Sequence, residues 1–351
     1  MHISQQSFGN LTNGEKVFLV RMGNNKGLEI EIITYGAIIR SIKTPDLKGQ
    51  LADIVLGKDD LSGYEEDNSC LGAVVGPVAG RIGNAKAEIA GQVFEFERND
   101  GVNSLHSGSA GLHQKNWKPE VSEQKNAVKV ALTYEAKDME GGYPGNRTFK
   151  TTYILNNKNQ LMVYFDASTD KDTIINMSTH SYFNLSGKQQ NIYDHKMMMN
   201  SLKVLHMDQG NIPDGTEHYI LGTPYHFSRG ALLGDALHKI DFGIDHAYVI
   251  NKEIGVFGIS AKAVHEPSGR TMDLVTDQPV VVFYTANHYD GSKAGKNGHP
   301  LKKHHAFCLE PQHHTDAPNH DNFPSILVKA GEKYKSRTQL TFGLNSDQHH
   351  H

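Results

Sequence analysis

A two-residue hydrophobic period recurs along nearly the whole chain and limits what it can fold into. The segment GLEIEIITYG places Leu28, Ile30 and Ile32 on one face and glutamates on the other. The segments 92–98 (QVFEFER) and 126–136 (NAVKVALTYEA) repeat this alternation. Alternation with a period of two is typical of β-strands that bury one face and expose the other. The pattern therefore predicts an all-β protein.

The short polar segments between the predicted strands favour antiparallel connections. Two runs rich in β-branched and aromatic residues flank the polar segment 156–160, which predicts a hairpin. Helical spacing occurs only in the short segments 59–67 and 228–239. The segment 289–305 is rich in glycine and lysine and reads as a long exposed loop. We therefore expect a large antiparallel β-sandwich with few short helices.

The domain prediction follows from the lack of any linker or repeat. We predict a single β-sandwich domain over 1–346, and we interpret 347–351, which ends in three histidines, as the remnant of a purification tag or a disordered tail. Large β folds of this length commonly form one unit.

Composition excludes several classes of function. The formal net charge is −4 and no basic stripe occurs, which argues against nucleic acid as a partner. The two cysteines, Cys70 and Cys308, lie in apolar surroundings and are predicted to be buried free thiols. No signal-peptide pattern and no apolar run of membrane-spanning length is present. A cytoplasmic protein without membrane contacts, either monomer or homodimer, is the expectation.

Two glycine-rich segments carry polar side chains suited to a ligand. Arg81 lies between glycines and is followed closely by Asn84, in the segment GPVAGRIGN. Glycine lets a ligand approach the backbone closely, and a guanidinium offers a fixed fork of donors. His106 lies in the segment NSLHSG. Taken alone, each of these residues is also typical of an ordinary loop.

Three further segments place titratable groups beside apolar strands. His180 lies in THSYFNLSG among aromatic residues, and Glu310 follows the apolar run AFCL. Asp245 enters the strand-like segment DHAYVI. A carboxylate at the end of a buried strand loses solvation, which raises its pKa. An exposed glutamate and a structural histidine remain the alternatives for the first two residues.

Motifs for metals, nucleotides and nucleophilic serine are not found. The pairs His304-His305 and His313-His314 are adjacent, and neighbours on a strand point to opposite faces, so a pair rarely binds one ion. No H-E-x-x-H, C-x-x-C, G-x-S-x-G or G-x-G-x-x-G pattern occurs. The expectation is a site with no metal and no cofactor, although distant histidines can still assemble one.

The order of these segments resembles the aldose 1-epimerases, also called galactose mutarotases. The resemblance runs from GLEIEIITYGAIIRSIKTPD to LTFGL, and its most specific parts are THSYFNLSG, NSLHSG, GIDHAYVI and LEPQHHTDAPN. It implies a large β-sandwich with an open sugar-binding cleft. It also implies an enzyme that interconverts the α and β anomers of a neutral hexose such as galactose or glucose.

The resemblance assigns roles to matching residues. It implies Glu310 as the general base, His180 as the general acid and His106 as a second histidine near the ring oxygen. Its implied sugar-binding residues, the last three resting on fewer matches, are Arg81, Asp245, Asn84, Asn184 and Gln312. The chain departs from the family pattern at GPVAGR, where many members have GRxANR, and at Ser107, Pro311 and Thr315. These departures concern sugar preference and leave the proposed acid and base in place.

Three alternatives stay open at this point. An epimerase of a phosphorylated hexose would need clustered arginines, whereas the arginines here are scattered. A non-catalytic carbohydrate-binding β-sandwich would need aromatic platforms but not both Glu310 and His180. A metal-dependent β-barrel enzyme would use the abundant histidines.

Overall fold

The computed structural model describes residues 1–345, and the fold within them is almost entirely strands. The domain end predicted at 346 and the tag predicted over 347–351 lie outside the described residues. In chain order, strands β1 to β29 of residues 1–345 are His2–Asn10, Lys16–Gly23, Glu29–Ile33, Ile38–Pro45, Leu51–Asp53, Val74–Val75, Arg81–Ile82, Lys86–Ile89, Gln92–Glu95, Ser104–Leu105, Lys118–Gln124, Ala127–Ala136, Arg147–Asn156, Gln160–Thr169, Thr173–Ile174, Ser178–Thr179, His195–Met199, Ser201–Met207, Pro213–Tyr219, Ala231–Leu232, Asp245–Ile250, Gly258–His265, Arg270–Thr276, Val280–Tyr284, Asp290–Ala294, Pro300–Lys302, Cys308–Gln312, Leu327–Val328 and Lys333–Leu344.

Helices within residues 1–345 are short. The α-helices α1 and α2 span Leu61–Glu65 and Leu233–Leu237. Asp60 caps α1 by accepting a hydrogen bond from the backbone N–H of Gly63. The 3₁₀ turns are Gly83–Ala85, Gly108–Ala110, Leu112–Gln114, Glu140–Gly142, Lys296–Gly298 and Ala317–Asn319. No helix of the described chain is long and apolar enough to cross a membrane.

Three larger sheets organise the strands. The first has the order β1-β2-β3-β4-β5, and a nine-stranded sheet has the order β11-β12-β13-β14-β29-β23-β22-β17-β20. The third has the order β19-β18-β21-β24-β27. Neighbouring strands in all three pair antiparallel. The prediction of an all-β antiparallel sandwich with few short helices is confirmed.

One continuous apolar core joins the faces of these sheets. It contains Ile30 from the first sheet, Val130 and Leu161 from the nine-stranded sheet, and Phe283 and Leu309 from the third. The period-two segments thus bury the face that the sequence predicts, because successive side chains on a strand point to opposite sides. The opposite face of the third sheet is left to line a cavity.

Two local predictions have different outcomes. The turn at 156–160 joins β13 to β14 in an antiparallel hairpin, as predicted. The prediction of a loop over 289–305 is wrong, because β25 and β26 pair there. The polar composition hides this hairpin: the Nζ of Lys296 bonds the carboxylate of Asp53 at 2.6 Å and the carbonyl of Arg40 at 2.6 Å. Both strands are largely exposed, so they do not show the apolar alternation of a strand that buries one face.

The hydroxyl of Tyr153 connects the nine-stranded sheet to the chain before β4. Tyr153 is fully buried and donates a hydrogen bond of 2.8 Å to the carbonyl of Ala37. We expect Tyr153→Phe to lower the free energy of unfolding by about 1–3 kcal/mol, because it leaves a buried carbonyl without its donor. Urea denaturation measures the change. Tyr164→Phe on neighbouring β14 is the matched control and should change stability by less than about 0.5 kcal/mol; equal effects of both substitutions would contradict this role.

Candidate active site

A cavity of about 270 Å³ lies against the third sheet. Six of the eight predicted site residues line it. They are Arg81, His106, His180, Asp245, Glu310 and Gln312. The chain brings these residues together from five separate segments, which the sequence alone does not show.

Strand β27 presents the carboxylate through its alternation. Leu309 points into the core, whereas Glu310 and Gln312 point into the cavity. In the register of the sheet, Glu310 lies directly beside Val282 of β24. Pro311 is tolerated because β27 is the edge strand of this sheet, where a missing N–H costs no ladder hydrogen bond.

The backbone on both sides of His180 is clamped. Its N–H donates to the carbonyl of Ala73 at 2.8 Å, and its carbonyl accepts from the N–H of Gly72 at 3.0 Å. The imidazole stacks on Tyr182, with ring centroids 5.1 Å apart. Tyr182 lines the cavity and Phe183 packs in the core. The motif THSYFNLSG therefore sends its two neighbouring aromatic residues to opposite sides.

Glu310 and His180 form a close pair at the floor of the cavity. The Oε1 atom of Glu310 lies 3.5 Å from the Nε2 atom of His180. Both residues are buried, at 3% and 6% exposure. A carboxyl and an imidazole at this separation can both reach the same small ligand.

His106 reaches the pair from the other side with a defined tautomer. Its ring meets the ring of His180 edge-on, with centroids 5.4 Å apart. The backbone N–H of Gly80 donates to the Nδ1 atom of His106 at 3.0 Å. Since Nδ1 accepts this hydrogen bond, the proton of the neutral ring resides on Nε2. His106 therefore offers a hydrogen-bond donor to a ligand.

The opposite wall carries an arginine and a second carboxylate. The Nε atom of Arg81 donates to the Oδ2 atom of Asp100 at 2.6 Å. Asp245 begins β21 and lies beside Tyr284 in the register. Burial raises the pKa of Asp245, and Arg81 partly offsets that rise. This wall can both donate hydrogen bonds to hydroxyl groups and accept from them.

Comparison with known proteins identifies the family. The family model described as aldose 1-epimerase matches residues 19–341. The chain belongs to the aldose 1-epimerase family. It is 34% identical to the galactose mutarotase of Bos taurus over 344 residues, which is 97% of this chain and 99% of that protein. It is 27% identical to the aldose 1-epimerase of Escherichia coli strain K12 over 338 residues, covering 94% and 96% of the two chains.

Solved structures agree with this fold. The aldose epimerase homologue of C. elegans superposes with a TM-score of 0.86 at 27% identity, covering 93% of this chain and 98% of that chain. The galactose 1-epimerase of Lactobacillus acidophilus NCFM has a TM-score of 0.87 at 24% identity, covering 98% and 99%. The second similarity supports the shared fold. The sandwich that the resemblance implies is therefore found in this family.

Burial dominates the electrostatics of the pair in this epimerase-family site. Burial raises the pKa of Glu310 well above its ordinary value, and the nearby Asp245 adds to the rise while Arg81 opposes it. Burial lowers the pKa of His180 to about 3. Both pKa shifts reflect the cost of burying a charged group. Together they favour the form of the empty pair in which Glu310 is protonated and His180 is neutral.

The hydrogen bonds of the cavity argue against a metal ligand role for His106. Ligand atoms of His106, His180 and Glu310 all lie within 4.8 Å of one another. A histidine that binds a metal usually donates its other N–H to an acceptor. The Nδ1 atom of His106 instead accepts from Gly80, so a metal on Nε2 would require a ring without either proton. The cluster is built for hydrogen bonding.

Hydrogen bonds also occupy a second cluster of possible metal ligands. Ligand atoms of Asp194, His195 and His265 lie within 4.8 Å of one another. The Nε2 atom of His195 accepts from the N–H of Leu185 at 2.9 Å, so its Nδ1 proton is directed at Asp194, 3.1 Å away. Both histidines hydrogen-bond the one carboxylate, which thereby anchors the segment that follows His180.

Two predicted site residues lie away from the cavity. Asn84 is exposed, and its backbone N–H donates to the side chain of Asn103 at 3.0 Å. The side-chain amide of Asn184 donates to the carbonyls of Gln190 at 2.8 Å and His305 at 2.9 Å. Neither lines the cavity. Both amides are polar residues inside specific motifs, and sequence alone does not separate structural amides from ligand-facing ones.

Sequence reasoning missed several residues at the cavity. Tyr284 and His288 line it beside Tyr182, and Asp100 holds Arg81. Alternation along PVVVFYTAN placed Val282 and Tyr284 on a common face, which was the signal for Tyr284. No comparable signal marked Asp100, because its contact joins a turn to the two-residue strand β7, which is too short to show a pattern.

The tautomer of His106 is open to direct measurement. We expect ¹⁵N NMR of histidine-labelled protein to show one ring, absent from a His106→Gln variant, with Nε2 protonated and Nδ1 unprotonated. Burial lowers the pKa of His106 well below 6.5, so this signal should stay neutral at about pH 6. The spectrum of the His106→Gln variant serves as the reference. A signal from His106 protonated at Nδ1 would contradict the hydrogen bond from Gly80.

Proposed function

We propose that the protein is an aldose 1-epimerase that interconverts the α and β anomers of a neutral aldohexose, with Glu310 as base and His180 as acid. The observation that carries this proposal is the 3.5 Å approach of Glu310 Oε1 to His180 Nε2 inside a cavity of sugar size. The relatives named galactose mutarotase make galactose the first sugar to test.

The reaction needs one proton acceptor and one proton donor at neighbouring oxygens. Glu310 takes the proton of the C1 hydroxyl while His180 protonates the ring oxygen, and the C1–O5 bond breaks to leave the aldehyde. Rotation about C1–C2 exposes the other face of the carbonyl, and the reverse transfers close the ring. Positioned proton transfer of this kind contributes about 10²–10⁴-fold to a rate.

The pair carries one proton through the whole cycle. Before ring opening the proton resides on His180, and after ring opening it resides on Glu310. The two states have the same net charge, so no charge enters or leaves the buried site during the reaction. The pKa shifts of the empty site favour the state with protonated Glu310, which is the state required beside the open-chain aldehyde.

Other cavity residues would hold the sugar. Gln312 is fully buried, and within residues 1–345 neither its Oε1 nor its Nε2 atom has a hydrogen-bond partner. Buried amides of this kind normally have partners, so hydroxyl groups of a ligand are the natural ones. His106 would donate through Nε2 toward the ring oxygen, and Arg81 and Asp245 would bind hydroxyls on the opposite side.

The charge of the cavity favours a neutral sugar over a phosphorylated one. Among its lining residues, Arg81 is the single arginine or lysine, and it faces Asp245 and Glu310. A phosphate site would need several cations or a bidentate clamp without competing carboxylates. A non-catalytic carbohydrate-binding module would have no use for a buried carboxyl–imidazole pair. Soluble sugars without phosphate are therefore the proposed substrates.

Removing the base tests the proposed function. We expect Glu310→Gln to lower the catalysed rate on freshly dissolved α-galactose and α-glucose by about 10²–10⁴-fold, because the amide cannot accept the proton. Polarimetry or a coupled assay specific for the β anomer measures the rate above the spontaneous one. Glu217→Gln, which removes an exposed carboxylate paired with Lys203, is the matched control. Full activity of Glu310→Gln with an intact fold would refute the assignment.

The pH dependence tests the shifted pKa of His180. An ordinary histidine titrates near pH 6.5, but burial lowers the pKa of His180 to about 3, so the pair does not gain a second proton near neutrality. We expect kcat/KM to show no inflection between about pH 5 and 7 and to fall at alkaline pH, where the pair loses its only proton. Rates corrected for spontaneous mutarotation provide the profile. A clear inflection near pH 6.5 would show that His180 titrates normally.

A further inference from the structure

The side chain of Asp100 connects a neighbouring turn to the cavity. Asp100 and Asn103 exchange two backbone hydrogen bonds, of 3.0 and 3.2 Å, around a turn in which Gly101 has a φ of +61°. Asp100 accepts from the Nε atom of Arg81 at 2.6 Å, and Asn103 accepts from the backbone N–H of Asn84 at 3.0 Å. The turn therefore holds the 81–84 segment at both of its ends.

This contact fixes which part of Arg81 faces the cavity. A guanidinium has five N–H donors, and Asp100 takes the one on Nε. Within residues 1–345, no other protein group hydrogen-bonds this guanidinium, so its terminal nitrogens remain for a ligand. The side chain of Arg81 is 19% exposed, so the surrounding protein allows few other orientations while Asp100 holds its Nε atom.

The same contact balances the charges around Glu310. The titratable or charged groups that face the Glu310 carboxyl are His180, His106, Arg81, Asp245, Tyr284, Cys70 and Cys308. Arg81 is the single permanent cation among them, and it lies among the carboxylates of Asp100, Asp245 and Glu310. If Asp100 releases the guanidinium, Asp245 and Glu310 are the acceptors left in its surroundings.

We propose that Asp100 is a positioning residue: it anchors the Nε atom of Arg81, directs the terminal nitrogens at the sugar hydroxyls and keeps the guanidinium from pairing with Glu310. This inference rests on the proposed epimerase function and extends it to a residue outside the cavity lining. It assigns Asp100 an effect on sugar binding and on the basicity of Glu310, although Asp100 touches neither the sugar nor the base.

The substitution Asp100→Asn separates these effects from a structural one. We expect KM for galactose to rise about tenfold, the change expected from misplacing one charge-assisted hydrogen bond, with a smaller change in kcat. The neutral amide accepts from Nε more weakly and carries no charge, so the guanidinium acts more strongly on Glu310 and lowers its pKa. The pair then loses its last proton at a lower pH. The alkaline limb of kcat/KM should therefore move to lower pH.

Matched variants complete the experiment. Glu95→Gln removes the carboxylate of an exposed pair with Lys86 at 2.8 Å and should leave KM and the pH profile unchanged. Asp100→Glu keeps the charge and should return the alkaline limb toward the wild-type position. If Asp100→Asn fails to fold, Asp100→Ser, which also suits a turn, carries the same expectations.

The outcomes distinguish this inference from the proposed function. An active wild-type enzyme whose Asp100→Asn or Asp100→Ser variant keeps both KM and the alkaline limb overturns the role of Asp100 and leaves the epimerase assignment intact. A wild-type protein without any activity on galactose or glucose overturns both. A raised KM together with a shifted limb, absent from Glu95→Gln, supports the positioning role.

Discussion

The burial of one carboxyl group beside one imidazole is the constraint on which the rest of the site depends. The pair of Glu310 and His180 is held at 3.5 Å with almost no solvent access. A buried charge is costly unless it is compensated. The charges that surround the pair must therefore nearly balance, with no large excess of positive or negative charge. The single arginine of the cavity lining, Arg81, and the second buried carboxylate, Asp245, fulfil this requirement. With a single arginine and two nearby carboxylates, the cavity is unsuited to the negative charge of a phosphate.

The fold supplies rigidity to this pair through two-sided strands. Strand β27 packs Leu309 into the main core and presents Glu310 on the opposite face, so any shift of the carboxylate would disturb core packing. His180 is held through its backbone by residues 72 and 73, and the segment after it is anchored by His195 at Leu185. The proposed base and acid thus come from elements whose positions are fixed by burial, and preorganised acid–base catalysis requires such fixed positions.

The sequence predicted the strands well because burial on one face imposes a period that can be read directly. It also singled out Glu310, His180 and His106, since titratable groups beside apolar runs are uncommon and recur in the family's order. The hairpin at 289–305 was not predictable from periodicity, because its two strands are largely exposed and bury no continuous apolar face, while the turn between them is held by the ion pair of Lys296 with Asp53. Asn84 and Asn184 show a related difficulty: an amide in a motif can serve the backbone or a ligand, and only the packing decides.

Interactions between turns were the least visible in the sequence. The contact of Asp100 with Arg81 spans 19 residues and joins a turn to the two-residue strand β7. Neither segment is long enough to show a periodic pattern, so the sequence does not indicate that the two residues are in contact. Yet this contact determines the orientation of the only permanent cation that lines the cavity within residues 1–345. A buried acid–base pair is sensitive to a neighbouring cation, because the surrounding protein screens charge weakly. The basicity of Glu310 is therefore a property of the loops around it as much as of the strand that carries it.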